Sequence, residues 1–202
     1  MSHYFTNDYV KSEEKEINII VKNTKLTLLT DNGIFSKHGL DFGTRTLLES
    51  LNLSELKGDI LDFGCGYGPI GIYLKKTTNA NIDMLDINKR ALNLARKNAK
   101  KNEVNVNIFE SDLYQNVTKK YDYIITNPPV RVGKQILYQI LFEAAKYLKE
   151  NGKLIFVINK NQGAKSVARD LSEKYEVEII TKNKGFYIIS AKKHWQSHLI
   201  KV

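Results

Sequence analysis

Cysteine, proline and histidine are all scarce in this 202-residue chain, and each scarcity removes a class of explanation. The single cysteine, Cys65, excludes an internal disulfide and suits a reducing compartment. His3, His38, His194 and His198 are scattered without ligand spacing, so no metal is expected. No apolar run approaches the roughly 18 residues a membrane span needs. The N-terminus, MSHYFTNDYVKSEEKEI, is polar and mixed in charge, which is not the pattern of a signal peptide. A cytoplasmic protein is the expectation. Acidic residues are also few, 22 against 31 basic ones, for a net charge of +9. That balance favours a polyanionic partner, nucleic acid first, although a lysine-rich proteome would raise the charge without any function.

What remains is ordinary globular composition, with one domain's worth of chain. Residues 16–31 alternate apolar and polar either side of Asn23-Thr24, as a hairpin does. A glycine-punctuated loop, NGIFSKHGLDFGT, follows, then a helix over Thr44–Leu53. Strands are expected at 59–63, 82–86, 104–109, 121–126 and 154–158. Helices follow from Asn88 to about Asn102, from about Lys134 to Lys149, and over Gly163–Lys174. Two last strands, about 175–181 and 186–192, flank the turn Asn183-Lys184-Gly185. Strands alternating with helices imply βαβ units and a parallel sheet, to which the final hairpin adds one antiparallel strand. The expected boundary lies near residue 31. It divides an N-terminal extension with a β-hairpin (1–31), packed on the rest, from a main domain (32–202). The tail HWQSHLIKV has no assignable pattern.

Two stretches carry chemistry. The first, DILDFGCGYGPIG (Asp59–Gly71), reads as strand, glycine turn and helix with Pro69 in its first turn. Such a turn brings a ligand against bare backbone and the positive end of a helix. Read as GxGxxG from Gly66 to Gly71, with Asp86 about 20 residues on, it suggests a dinucleotide enzyme. Read as DxGxGxG from Asp62, it places a carboxylate at the ligand. A pyrophosphate would be repelled there, whereas S-adenosylmethionine brings an ammonium, a sulfonium and a ribose diol. Asp62 near the amino-acid end and Asp86 on the ribose then make sense together.

The second stretch is Asn127-Pro128-Pro129-Val130, after the strand YDYIIT. Prolines end strands readily, but these two also remove backbone N–H donors, leaving carbonyls and the Asn127 side-chain oxygen as acceptors. The residue before each proline is held extended, so the segment is stiff. A rigid acceptor cluster suits the exocyclic amine of a nucleobase, whose lone pair is delocalised into the ring. Gripping its hydrogens favours a pyramidal nitrogen aimed at a methyl donor, so that positioning carries much of the rate.

With both stretches in place, the chain resembles the class I S-adenosylmethionine-dependent methyltransferases over nearly all its length. The resemblance implies a Rossmann-like α/β fold, a seven-stranded mixed sheet with an antiparallel last strand and helices on both faces. It implies that Asp62, Gly64, Cys65, Gly66 and Gly68 surround the methionine moiety, with Cys65 a small loop residue and no nucleophile. Asp86 and Ile87 would hold ribose and adenine, and Asp112 with Leu113 the adenine edge. GIFSKHGLDFGTRTLL, NPPV and Lys160-Asn161-Gln162-Gly163-Ala164 together look like the small-subunit ribosomal RNA guanine-N2 methyltransferase group, in its short single-domain form. By that likeness Gly33, Phe35 and Ser36 lie over the cofactor and Thr44 meets the methionine carboxylate. Asn127, Pro128 and Pro129 are catalytic. Val130, Arg131, Lys160 and Gln162 line the substrate side, Lys160 and Gln162 having a solvated loop as the plain alternative. In amine-directed methyltransferases the motif has an aromatic after NPP; here Val130 stands there, and Tyr67, Phe35 or residues 131–134 are left to cover the base. The expected partner is ribosomal RNA or the small ribosomal subunit, the oligomeric state monomer or dimer. A protein glutamine amide or a DNA adenine are alternative acceptors, and a nucleic-acid-binding module without chemistry is a third reading. A nicotinamide dehydrogenase would leave NPPV without a role.

Overall fold

The computed structural model describes residues 12–32, 39–129 and 133–194. It opens with β1 (Lys15–Val21) and β2 (Thr24–Thr30), an antiparallel hairpin turning at Lys22-Asn23. Helix α1 (Phe42–Ser50) follows, then β3 (Asp59–Phe63), α2 (Pro69–Thr77), β4 (Asn81–Asp86), α3 (Lys89–Lys101) and β5 (Asn107–Glu110). After β6 (Tyr121–Thr126) come α4 (Gly133–Tyr147), β7 (Leu148–Asn159), a single 3₁₀ turn (Lys160–Gln162) and α5 (Ala164–Leu171). The chain closes with β8 (Tyr175–Asn183) and β9 (Phe186–Lys193).

The seven strands lie in the order β5-β4-β3-β6-β7-β9-β8, and β9 runs antiparallel to both neighbours. This is the expected Rossmann-like sheet. Strict alternation builds its two cores. Leu154, Phe156 and Ile158 of β7 face α4 and α5, whereas Ile155 and Val157 face the side of α1, α2 and α3. Buried Ile19, Val21, Leu26 and Leu28 bring the hairpin into that second core.

Several boundaries move, each for a local reason. Helix α1 starts at Phe42, not Thr44, because the Asp41 carboxylate caps it by accepting from the Thr44 N–H at 3.0 Å. Helix α4 stops at Tyr147, since Leu148 pairs with Tyr121 and joins the sheet. That pairing also lengthens β7 beyond the expected 154–158. The strand expected at 104–109 shifts to Asn107–Glu110, because the Val104 N–H closes the end of α3 on the Ala99 carbonyl. Helix α5 spans only Ala164–Leu171. Gly163, with φ of 82°, separates it from the 3₁₀ turn. No helix among the described residues is long and apolar enough to cross a membrane.

Candidate active site

Strand order reverses between β3 and β6, and in such sheets ligands settle in the crevice beyond the carboxyl ends of the strands. Both chemical stretches meet at that point. Asp62 pairs with Ile125 in register, and the Thr126 hydroxyl donates to the Phe63 carbonyl at 2.7 Å. The next residues along, Gly64 and Asn127, therefore leave the sheet side by side.

The glycine loop is held from beneath. Asp62 is wholly buried; one oxygen accepts from the Gly71 N–H at 2.8 Å and the other has no partner. Burial, opposed by that N–H and reinforced by the charge of Asp86, raises its carboxyl to about 7. Asp86 ends β4 and accepts from the Gly66 N–H at 2.8 Å and the Asn88 N–H at 2.9 Å, while burial pushes its carboxyl up. Gly64 and Gly66 have φ of 70° and 56°, and a methyl at either would point into open space. The loop thus presents bare backbone to an open cradle. Gly71 is required for a different reason, since a Cβ there would lie 2.6 Å from the Met84 sulfur. Cys65 is buried, and burial with the nearby Asp62 and Asp86 charges pushes its thiol well up, so it stays protonated and inert.

Beside the loop, the Ser111 N–H donates to the Asp86 carbonyl at 3.0 Å, and the Ser111 hydroxyl donates to the Leu113 carbonyl at 2.8 Å. Asp112 is exposed on this tight turn, with Leu113 half-buried at φ of 50°. Ile87 is half-buried at the end of β4. A buried carboxylate with one unpartnered oxygen, an open glycine cradle at a helix start and a carboxylate at the end of β4 fit S-adenosylmethionine. Among the described residues, no cluster of His, Cys, Asp or Glu could hold a metal ion.

Asn127 stands half-buried at the end of β6, with Pro128 buried and Pro129 exposed after it. Its amide nitrogen donates to the Thr44 hydroxyl oxygen at 2.9 Å and to the Asp41 carboxylate at 3.2 Å. A carboxylate accepts only, so this side of the amide must be the NH₂. Both amide hydrogens are spent, and the oxygen remains the group Asn127 offers outward. Thr44, expected at the methionine carboxylate, is in this arrangement a partner of Asn127. Gln162 uses its side-chain oxygen to accept from the Asn159 N–H at 2.9 Å in a capping box, and the Lys160 side chain is exposed. Phe35, Val130 and Arg131, with Gly33, Ser36 and Val132, lie outside the described residues.

Two supports had little sequence signal. Asp41 caps α1 and also accepts from Asn127, and nothing in the sequence singled it out. Asn98 sits inside an apolar helix face, yet its amide donates to the Tyr67 carbonyl of the glycine loop at 2.9 Å.

A family model described as methyltransferase small domain matches residues 25–190. A Bacillus subtilis relative, "Uncharacterized protein YbxB", is 43% identical over 197 residues, covering 95% of this chain and 98% of that protein. Ribosomal RNA small subunit methyltransferase C of Psychromonas ingrahamii is 35% identical over 145 residues, 69% of this chain and 41% of that protein. The Haemophilus influenzae (strain Rd) protein of the same name is 38% identical over 139 residues, 66% and 42% of the two chains. The chain thus spans less than half the length of these two relatives. A T. thermophilus 16S rRNA N2 methyltransferase in complex with AdoMet and guanosine has the same fold. Its TM-score is 0.81 at 22% identity, over 90% of this chain and 51% of that one.

Proposed function

This chain belongs to the methyltransferase small domain family, and from that premise we propose that its methyl acceptor is the exocyclic N2 amine of a guanine in ribosomal RNA. It is an S-adenosylmethionine-dependent methyltransferase of class I. When bound, the cofactor supplies an electrophilic methyl on a positive sulfur. The chain's own residues do the rest.

The observation that carries the reading is the state of Asn127. With both amide hydrogens committed to Thr44 and Asp41, the side chain offers an oxygen acceptor. The Pro128 and Pro129 carbonyls add acceptors on a segment that lacks N–H donors there. An amine entering this corner gives its hydrogens to acceptors and keeps its lone pair free. A hydroxyl or carboxylate acceptor would gain less from the same corner, because it has fewer hydrogens to offer or none. The positive charge that develops on the nitrogen is met by oriented dipoles already fixed in place, and the proton is then lost to water. The relatives named for small-subunit ribosomal RNA methylation support the choice of a guanine in RNA.

The test offers tritiated cofactor with ribosomal RNA, DNA and ribosome-free protein extract. Label is expected in the RNA, as N2-methylguanine after digestion. Label confined to protein glutamine or to DNA adenine would overturn the acceptor. Asn127→Ala should lose about a hundredfold or more in turnover while cofactor affinity stays within about threefold. Turnover near wild type in that variant would sink the mechanism.

A further inference from the structure

Residues that serve the cofactor occupy the ends of β3, β4 and β5, and Asn127 ends β6 at the switch point. The other half of the rim, at the ends of β7, β9 and β8, has no part in that site. Its composition is one-sided. Residues 159–165 (NKNQGAK) and 182–187 (KNKGFY) hold Lys160, Lys165, Lys182 and Lys184 and not one carboxylate. The two segments are joined, because the Lys160 N–H donates to the Gly185 carbonyl at 2.7 Å and Asn159 pairs with Phe186. All four lysine side chains are exposed, and among the described residues none forms an ion pair. Elsewhere many lysines are neutralised: Lys97 by Glu14, Lys101 by Glu16, Lys119 by Asp59 and Asp83, Lys149 by Asp59 and Asp122.

Aromatic rings are interleaved with these cations. Phe42, the residue after the Asp41 that grips Asn127, lies with its ring centroid 5.7 Å from that of Phe186. The Lys184 ammonium stands 5.1 Å from the Phe42 centroid, and the Lys182 ammonium 5.1 Å from that of Tyr187. Phe42, Phe186 and Tyr187 are each only half-buried. Half-covered rings beside unpaired ammonium groups are the combination that binds unpaired nucleotides, stacking the base and neutralising the phosphate. A duplex keeps its bases stacked on each other and gains nothing from the rings.

We propose that the rim formed by Lys160, Lys182, Lys184, Phe42 and Phe186 is the landing track for a single-stranded RNA segment, leading along β9 and β7 toward Asn127. The inference rests on the RNA reading above. The track stacks a nucleotide adjoining the target on the Phe42–Phe186 pair and holds its neighbours by their phosphates. Substrate affinity then resides in the methyltransferase fold itself.

The test measures anisotropy of a labelled, unstructured RNA of roughly a dozen nucleotides against a salt series. The K182E/K184E variant should bind about tenfold or more weakly, with a log–log salt slope shallower by about 1.4, the value for two lost single-strand contacts. Phe186→Ala should lose about tenfold with the slope unchanged, as removal of a stacking ring does. The distant K57E/K100E variant, with the same change in net charge, should bind within about twofold of wild type, since only local phosphate contacts count. Unchanged cofactor affinity shows each variant folded, and K182E/K184E decides alone if Phe186→Ala does not fold. Equal losses in the tip and distant variants, or no loss at the tip, would overturn the track. So would competition by poly-glutamate matching that by RNA. Tritium transfer by the wild type is read alongside. Transfer to RNA with unimpaired tip variants defeats the track alone, whereas transfer to protein or DNA defeats the acceptor reading.

Discussion

Asp62 carries a charge problem that a cationic cofactor bound at the glycine loop would resolve. In the ligand-free fold its carboxyl sits near 7, up from an ordinary 3.8, because burial outweighs the single Gly71 N–H. A folded-state value above the unfolded one means the fold prefers the proton. The stability that proton confers is complete below about pH 4 and is lost as pH rises toward 7. A cation bound at the loop reverses the preference, so cofactor binding should expel a proton below neutrality. Cofactor affinity is therefore expected to tighten from pH 6 to pH 8 by up to about tenfold per pH unit below the pKa. Asp62→Asn should bind more weakly and show no such rise. Titration calorimetry in two buffers of different ionisation heat reads both the affinity and the proton, and a wild-type affinity flat across this range would refute the assignment. Asp62 was legible in the sequence because its meaning is local, a carboxylate two residues before the first of the spaced glycines. Asp41 was not, because its partner Asn127 lies 86 residues away and nothing near Asp41 records that contact.

Helix α3 shows what apolar patterning captures and what escapes it. Ala91, Leu92, Leu94 and Ala95 mark its inner face, and Asn88 caps it as expected by accepting from the Arg90 and Ala91 N–H groups. The same face continues with Asn98 and Asn102, which patterning reads as polar and outward, yet both are buried. They act as a substitute strand along the open edge of β2. Asn98 accepts from the Leu29 N–H at 2.6 Å and donates to the Leu29 carbonyl at 2.9 Å. Asn102 repeats this at Thr27, at 3.1 and 2.7 Å. The spacing of four along the helix matches the spacing of two along the strand, so each amide meets one outward-facing peptide edge. Asn98→Ala strands three backbone groups, the Tyr67 carbonyl buried and the Leu29 N–H and carbonyl part-buried, and should cost about 2–3 kcal/mol by denaturant titration. Asn98→Leu should cost as much, because filling the volume does not restore the bonds. Recovery of stability by leucine would show that packing matters there. Element existence was legible from periodicity; element ends were set by contacts, as when Leu148 leaves α4 to pair with Tyr121.

In the proposed arrangement the whole molecule divides by function across the sheet, with the cofactor at the ends of β3, β4 and β5, the track at the ends of β7, β9 and β8, and Asn127 between. Across the boundary expected near residue 31, Val21, Leu26 and Leu28 of the hairpin share one core with Leu47, Ile72 and Leu92. The Asn98 amide ties Leu29 to the Tyr67 carbonyl, so the hairpin and the glycine loop hang from one side chain. The hairpin's alternation gave the apolar face that packs on the rest of the chain; it could not give the Asn98 contact, whose two ends lie 31 and 69 residues away. If hairpin and sheet are one cooperative unit, the Thr27 and Leu29 amides should exchange with deuterium only through global unfolding. Their opening free energies would then equal those of Ile60 and Leu61 in central β3, and all four would fall together with added denaturant. A hairpin that opens by itself would exchange at Thr27 and Leu29 with a lower free energy, insensitive to denaturant, while β3 stayed protected. In the linked case, saturating cofactor should slow exchange at Leu29 as much as at Leu61, because a ligand that binds only the folded state stabilises every part of a single unit equally.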